Sequence, residues 1–161
     1  MIGIDISKFA CDRAARRFKT VDNCEIAAAS IFHLPVADNS CDMIVTMFAP
    51  FCREEFVRVL KPEGMLIMAI PGEEHLIALK SAVYDEPYKN HTSDYTVEDL
   101  DFLGSTHISR EIFIDDPKDI QSLFSMTPYY YKTGREGHER LERLTSLRDM
   151  ADFEVLVYKK K

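Results

Sequence analysis

No stretch of this sequence approaches the ~20 consecutive apolar residues needed to span a bilayer, and its amino terminus lacks the charged-then-apolar layout of a secretion signal. These absences predict a soluble protein of the cytoplasm with no membrane partner. There is no C-x-x-C pair either. Cys11, Cys24, Cys41 and Cys52 fall at wide, irregular intervals, so no metal site is expected and the thiols read as reduced. Cys52 has no obvious base beside it in sequence to make it a nucleophile. An excess of positive charge is also missing: 20 basic against 27 acidic residues leave a net charge of -7. From charge alone a general polyanion-binding surface is not predicted, and any nucleic-acid contact must be a local patch. No internal repeat or low-complexity segment is found.

What is present is enough for one core. A chain of 161 residues with 46% hydrophobic content reads as one domain over 1–161. It opens on MIGIDISK, an apolar run that stops on Asp5, with Ser7 placed to begin a helix through about Phe18. A carboxylate at the carboxyl end of a strand is suited to accept both hydroxyls of a ribose. An Asp beside a Ser is equally an ordinary strand-to-helix turn, so Asp5 carries both readings. In the helix, Phe9, Ala10, Ala14 and Phe18 share the predicted inward face.

Cys24 to Ala29 is a small apolar run ending at Ser30, the pattern of a buried strand. His33-Leu34-Pro35-Val36 breaks regular structure, and a strand follows from about Cys41 to Met47. Phe48-Ala49-Pro50-Phe51 ends that strand abruptly. Arg53 to Leu60 reads as a helix, Lys61 to Gly64 as a turn, and Met65 to Ile70 as an apolar strand closed by Pro71-Gly72. Short alternating strands and helices of this kind specify parallel crossovers and an α/β fold. The second half is less regular: a helix over Glu73 to Tyr84, a polar connector to Tyr95, and a strand over Ile108 to Ile114. A helix from Asp116-Pro117 with Ile120, Leu123 and Phe124 inward follows, then a charged helix from Arg135 to Leu147 and a last strand over Phe153 to Tyr158.

Taken in order, GIDIS, ASIFHLPVADNSCDMIV and EEFVRVLKPEGMLIMAIPG resemble the successive motifs of class I S-adenosylmethionine-dependent methyltransferases. More narrowly, MFAPFCREEFVRVLKPEG, PGEEHLIALKSAVYDEPY and MTPYYYK resemble the 23S rRNA guanine-N1 methyltransferases of the RlmA type. The resemblance implies a Rossmann-like sheet, S-adenosylmethionine as cofactor and ribosomal RNA as substrate. It implies that Asp5 accepts the ribose hydroxyls, that Ile6 packs on the adenine, and that Ser30 and Ile31 meet the adenine edge. Phe48 would border both cofactor and target base, with Ala49, Pro50, Thr127 and Tyr129 on the substrate side. For Phe48 to Pro50, core aromatics around a turn proline are an equal alternative.

Removal of the guanine N1 proton requires an acceptor; Glu73, Glu74 and His75 are candidates, and Phe48, Phe51 and Tyr129 to Tyr131 are available for stacking. A small-molecule methyltransferase, or a non-catalytic remnant serving as an oligomerisation module, are the alternatives. The family's cysteine-rich zinc module, first strand and Gly-rich loop have no counterpart in these residues, which predicts an incomplete sheet and an upstream coding segment that supplies them. The gap is expected to close by pairing of the Met1 strand with the Asp42 to Met47 strand, or across a homodimer.

Overall fold

The computed structural model describes residues 1–90 and 96–161. The elements run β1 (Ile2–Asp5), α1 (Lys8–Arg17), β2 (Glu25–Ala28), β3 (Cys41–Met47), α2 (Arg53–Val59), β4 (Leu60–Pro71), α3 (Ile77–Val83), β5 (Leu100–Ile114), α4 (Pro117–Ser125), α5 (Arg135–Glu142) and β6 (Leu147–Lys160). They form a two-stranded sheet, β1-β2, and a four-stranded sheet in the order β3-β4-β6-β5. The last five residues of the expected polar connector lie outside the described residues. No helix among the described residues is long and apolar enough to cross a membrane.

The chain folds into two compact units. The first comprises Met1–Ile67, Thr96–Leu103 and Val157–Lys161. In it β1 and β2 pair in parallel with Ile2 opposite Glu25 and Asp5 opposite Ala28. Ser7 caps α1 by accepting from the Ala10 N–H, as its position in the sequence suggests. The helix then packs differently from expectation. Its buried residue is Cys11, whose thiol lies 3.5 Å from the Asp5 carbonyl oxygen and 3.4 Å from that of Ala27, while Ala10 and Phe18 are exposed and Phe9 is 79% exposed. Cys11 thus ties α1 to both strands, and that contact rather than the aromatic spacing sets the inward face.

The expected pairing of the Met1 strand with the Asp42 to Met47 strand is not found among the described residues: β1 pairs with β2, and β3 belongs to the other sheet. The Cys11 contact holds β1, α1 and β2 as a three-element group in its own right. One edge of β1 and one edge of β3 are left without a strand among the described residues. Along β3, Met43, Val45 and Met47 stand on one face, and all three are exposed. Elsewhere in this unit Phe56 and Val59 of α2, Leu60 and Leu66 of β4, Leu100 of β5 and Tyr158 of β6 are buried.

The second unit comprises Met68–Tyr95 and Gly104–Leu156. Its core gathers Leu76, Leu79, Val83, Ile120, Phe124, Tyr129, Leu141 and Leu147. The helix expected from Glu73 starts only at Ile77, because Leu76 adopts a left-handed φ of 53°. An apolar residue at that position caps nothing, so the first-turn N–H groups need another partner. Asp149, 3% exposed on β6, supplies it: its carboxylate accepts from Ala78 N–H at 3.0 Å and Leu79 N–H at 2.8 Å. The strand β6 accordingly begins well before Phe153, since its acidic residues are paired inward rather than solvated. Replacing Asp149 with Ala leaves two covered donors without an acceptor and should cost about 2 to 4 kcal/mol. Urea denaturation of Asp149→Ala checks this, and a loss under about 0.5 kcal/mol would show that the cap contributes little.

Candidate functional site

The carboxyl ends of two adjacent parallel strands bring the first predicted residues together. The Ala29 N–H donates to the Asp5 carbonyl at 3.0 Å, which extends the β1-β2 ladder by one bond and sets Ser30 beside Asp5. One oxygen of the Asp5 carboxylate, Oδ1, accepts from the Ser7 N–H at 2.7 Å. The turn reading and the ligand reading therefore coexist: one oxygen shapes the turn, and no donor among the described residues is recorded on Oδ2. Ile6 follows with its side chain 80% exposed, an apolar surface directly beside an exposed carboxylate. Ser30 Oγ accepts from the Phe32 N–H and its carbonyl from the His33 N–H, so its side chain is engaged within its own turn and Ile31 is half-buried beside it.

The loop that carries Ser30 and Ile31 is anchored downstream by a clamp from α2. Glu55 accepts from the Leu34 N–H at 2.6 Å, and Arg58 donates to the carbonyls of Leu34 and Val36 and to the Asp38 carboxylate. Arg58 also binds Glu55 through two nitrogens, at 2.7 and 2.8 Å. The Leu-Pro-Val turn is thereby fixed by charge-assisted hydrogen bonds along its backbone. Sequence reading sees Glu55 and Arg58 only as polar helix positions.

At the carboxyl end of β3, Phe48 adopts a left-handed φ of 53°. For a bulky aromatic residue this conformation costs on the order of 1 to 3 kcal/mol, and such residues gather at ligand sites and switches. The Phe48 side chain is exposed, as are Ala49 and Pro50, while Phe51 turns back to meet Phe56 edge-on at 5.6 Å. Asp5, Ile6, Ser30, Ile31, Phe48, Ala49 and Pro50 all belong to the first unit.

The late candidates belong to the second unit. Thr127 and Tyr129 are buried in it: the Thr127 hydroxyl donates to the Phe124 carbonyl, and the Tyr129 ring joins the core. Burial pushes the Tyr129 phenol up to about 12, with the neighbouring Tyr88 and Tyr84 adding to the shift. Tyr130 and Tyr131 are the exposed members of the run, stacked edge-on at 5.3 Å.

The P-G-E-E-H turn after β4 is built on a buried carboxylate. Asp152 of β6 accepts from the Glu74 N–H at 2.8 Å, and its carbonyl accepts from the Gly72 N–H. A Cβ added at Gly72 would fall onto the Asp152 carboxylate, so the turn sits this close only with glycine. His75 Nδ1 accepts from the Asp152 N–H at 3.3 Å, and burial holds this imidazole below its usual range and neutral. Lys80, fully buried, donates to the Tyr88 carbonyl and the Asn90 side chain and lies over the Tyr88 and Tyr129 rings. Asn90 in turn donates to the Gly72 carbonyl at 2.7 Å. The H-L-x-x-L-K pattern therefore packs the start of the connector against this turn. Asp149 and Asp152 went unnoticed in the sequence; acidic residues two apart from apolar ones in a strand pattern are their one signal.

The profile of the methyltransferase domain family matches residues 1–127. A Bacillus subtilis protein with the provisional name of a 23S rRNA (guanine-N1)-methyltransferase is 29% identical over 161 residues, covering 96% of this chain and 55% of its own. A Streptomyces fradiae 23S rRNA (guanine(748)-N1)-methyltransferase is 32% identical over 98 residues, 60% of this chain and 34% of that one. This chain thus spans about half or less of these relatives' length. The N-methyltransferase NodS from Bradyrhizobium japonicum, solved with S-adenosyl-L-homocysteine, shares the fold with a TM-score of 0.52 at 15% identity, over 99% of this chain and 65% of its own.

The clamp gives a pH prediction. Arg58, then the Leu34 N–H, hold Glu55 at about 2, below its ordinary 4.5. A carboxyl depressed on folding contributes stability that is complete above its unfolded value and is lost as pH falls toward the folded one. Stability should therefore decline between about pH 4.5 and 2 in part through this group. Glu55→Gln should flatten that part of the acid denaturation curve; a curve identical in slope to the parent would show that the clamp does not form in solution.

Proposed function

The chain belongs to the methyltransferase domain family, and from that premise we propose that it carries the cofactor-binding domain of an S-adenosylmethionine-dependent methyltransferase of the cytoplasm that methylates guanine N1 in 23S ribosomal RNA. The observation that carries the cofactor half of this reading is the convergence of Asp5, Ile6 and the Ser30-Ile31 turn at the carboxyl ends of β1 and β2. These residues fit an adenosine: a carboxylate oxygen directed to ribose hydroxyls, an exposed apolar side chain for the base, and backbone groups of a fixed turn for its edge. No glycine cradle for the amino-acid end is found among the described residues. The RNA half is supported by the relatives named for 23S rRNA methylation.

When bound, the cofactor supplies an electrophilic methyl group on a positive sulfonium. The work left to this chain is to orient the base and to take its proton. Phe48 stands at a strand end with an exposed ring and a strained backbone, the placement expected of a wall against which an extruded base packs. Tyr130 and Tyr131 offer exposed aromatic surface of the kind on which unpaired RNA bases stack. An acidic chain that acts on RNA must rely on such local contacts rather than on its overall field.

Calorimetric titration with S-adenosylhomocysteine tests the assignment of the ribose site. Asp5→Ala should weaken binding on the order of tenfold to a hundredfold, and Asp5→Asn by less, since the amide keeps one acceptor oxygen. Ser7→Ala removes the α1 cap without touching the ribose site, so it should lower stability and leave affinity unchanged. Equal affinity in Asp5→Ala and parent would reduce Asp5 to a turn residue.

A further inference from the structure

The helix α1 carries a surface that the candidate site does not use. Residues 8–19 hold five basic side chains, Lys8, Arg13, Arg16, Arg17 and Lys19, and one acidic side chain, Asp12. The other residues carry 15 of the chain's 20 basic groups and 26 of its 27 acidic ones, so this short stretch is a cationic patch on an anionic protein. All five cations are exposed.

A charged face on a surface helix is ordinarily solvated and paired within itself or with its neighbours. Arg135 follows that rule by binding Glu139 one turn away, and Arg53, Arg140 and Arg148 bind Glu98, Asp85 and Glu111. In α1 no ion pair joins a cation to a carboxylate among the described residues, not even to Asp12, which stands four residues from both Lys8 and Arg16. The helix macrodipole accounts for part of the pattern, since Arg16 and Arg17 occupy the last turn, where cations are favoured. It opposes Lys8 at the first helical position and leaves Arg13 unexplained.

The patch has a fixed outward aspect. The Cys11 thiol, against the carbonyls of Asp5 and Ala27, determines which side of α1 meets the strands. At 3.6 residues per turn, Phe9, Arg13, Arg16 and Arg17 fall within an arc of about 100° on the opposite side. Three guanidinium groups therefore surround an aromatic ring that is 79% exposed. All of this lies in the first unit, on the helix that Ser7 caps directly after Asp5.

We infer that the outward face of α1 docks the phosphate backbone of the RNA substrate, with Phe9 as a stacking residue among the arginines. The inference rests on the functional reading proposed above. Guanidinium forks match phosphate oxygens two at a time, and an exposed aromatic ring accepts an unstacked base. Contacts of this kind position RNA without reading its sequence. A lipid surface fits less well, because a helix lying on a membrane inserts the apolar side opposite its cations. In α1 that side is held against β1 and β2.

Titration of the full chain with a fluorescent 23S rRNA transcript at a series of salt concentrations tests this, with methyl transfer to the same transcript followed alongside. The triple variant Arg13→Ala, Arg16→Ala, Arg17→Ala should bind on the order of tenfold to a hundredfold more weakly at about 0.1 M salt, and its slope of log affinity against log salt should be shallower by about 2 to 3. Phe9→Ala should lose several-fold in affinity and keep the parent slope. Helix content and S-adenosylhomocysteine affinity should match the parent in both, since alanine favours the helix. Arg110→Ala, Lys118→Ala, Arg143→Ala removes the same charge from exposed positions of the second unit and should change RNA affinity less than about threefold. Equal losses in the two triple variants, or parent affinity and slope in the α1 variant, overturn the inference, and methyl transfer by the parent then leaves the functional reading standing. A parent that neither binds nor methylates the transcript overturns both. Loss of binding in the α1 variant of a chain that transfers no methyl group supports the docking face and counts against the catalytic reading. Recruitment to phosphatidylserine vesicles in place of the transcript would assign the face to a membrane surface and overturn the inference.

Discussion

Two buried carboxylates on β6 organise the second unit. Asp149 and Asp152 reach from one strand to the backbone N–H groups of Glu74, Ala78 and Leu79, and so fix both the turn after β4 and the start of α3. A buried carboxylate is tolerated only when its oxygens are used, and here backbone donors, together with the His107 imidazole on Asp152 Oδ1, use them. The left-handed Leu76 and the close approach of Gly72 are consequences of the same arrangement, because each lets the chain bend tightly enough to present its N–H groups to β6. The exposed imidazole of His107 inherits its orientation from this buried scaffold.

The first unit is organised by backbone geometry rather than by buried charge. Parallel pairing of β1 and β2 places the Asp5 and Ser30 turns side by side, and the Cys11 contact holds the crossover helix over both strands. The Glu55-Arg58 clamp then fixes the loop leaving β2. Against this order stands a set of apolar side chains in solvent: Ile2, Ile6 and Phe9 around β1, and Met43, Val45 and Met47 on β3. Isolated exposed apolar residues are ordinary, but a row on one face of a strand whose edge carries no partner strand among the described residues is a surface suited to packing against another element.

Local signals made the order of the first elements legible, although Lys61 to Gly64, expected as a turn, lies inside β4 and Cys11 rather than the aromatic spacing sets the inward face of α1. Ser7 caps the helix it appears to cap, the Leu-Pro-Val segment interrupts regular structure, and the alternation of short apolar runs with helical spacing yields the α/β class. The reading failed where distant residues decide. The start of α3 is set by Asp149, 70 residues away from Leu79, so local periodicity extended the helix back to Glu73. The β5 strand begins at Leu100 rather than Ile108, because pairing with β6 rather than hydrophobic alternation sustains its polar stretch. Among the candidate site residues, Asp5 and Phe48 were visible as punctuation at strand ends. Asp152 was not, since an acidic residue in a strand pattern announces nothing until the backbone donors opposite it are known.

The central claim is methylation of guanine N1 in ribosomal RNA, and nucleoside analysis tests it most directly. The chain, or the longer protein if these residues are part of one, is incubated with unmodified 23S rRNA and deuterium-labelled S-adenosylmethionine. The RNA is then digested and its nucleosides resolved by mass spectrometry. The account predicts label in 1-methylguanosine alone. Label in any other nucleoside, or transfer to small acceptors with none to RNA, would contradict it.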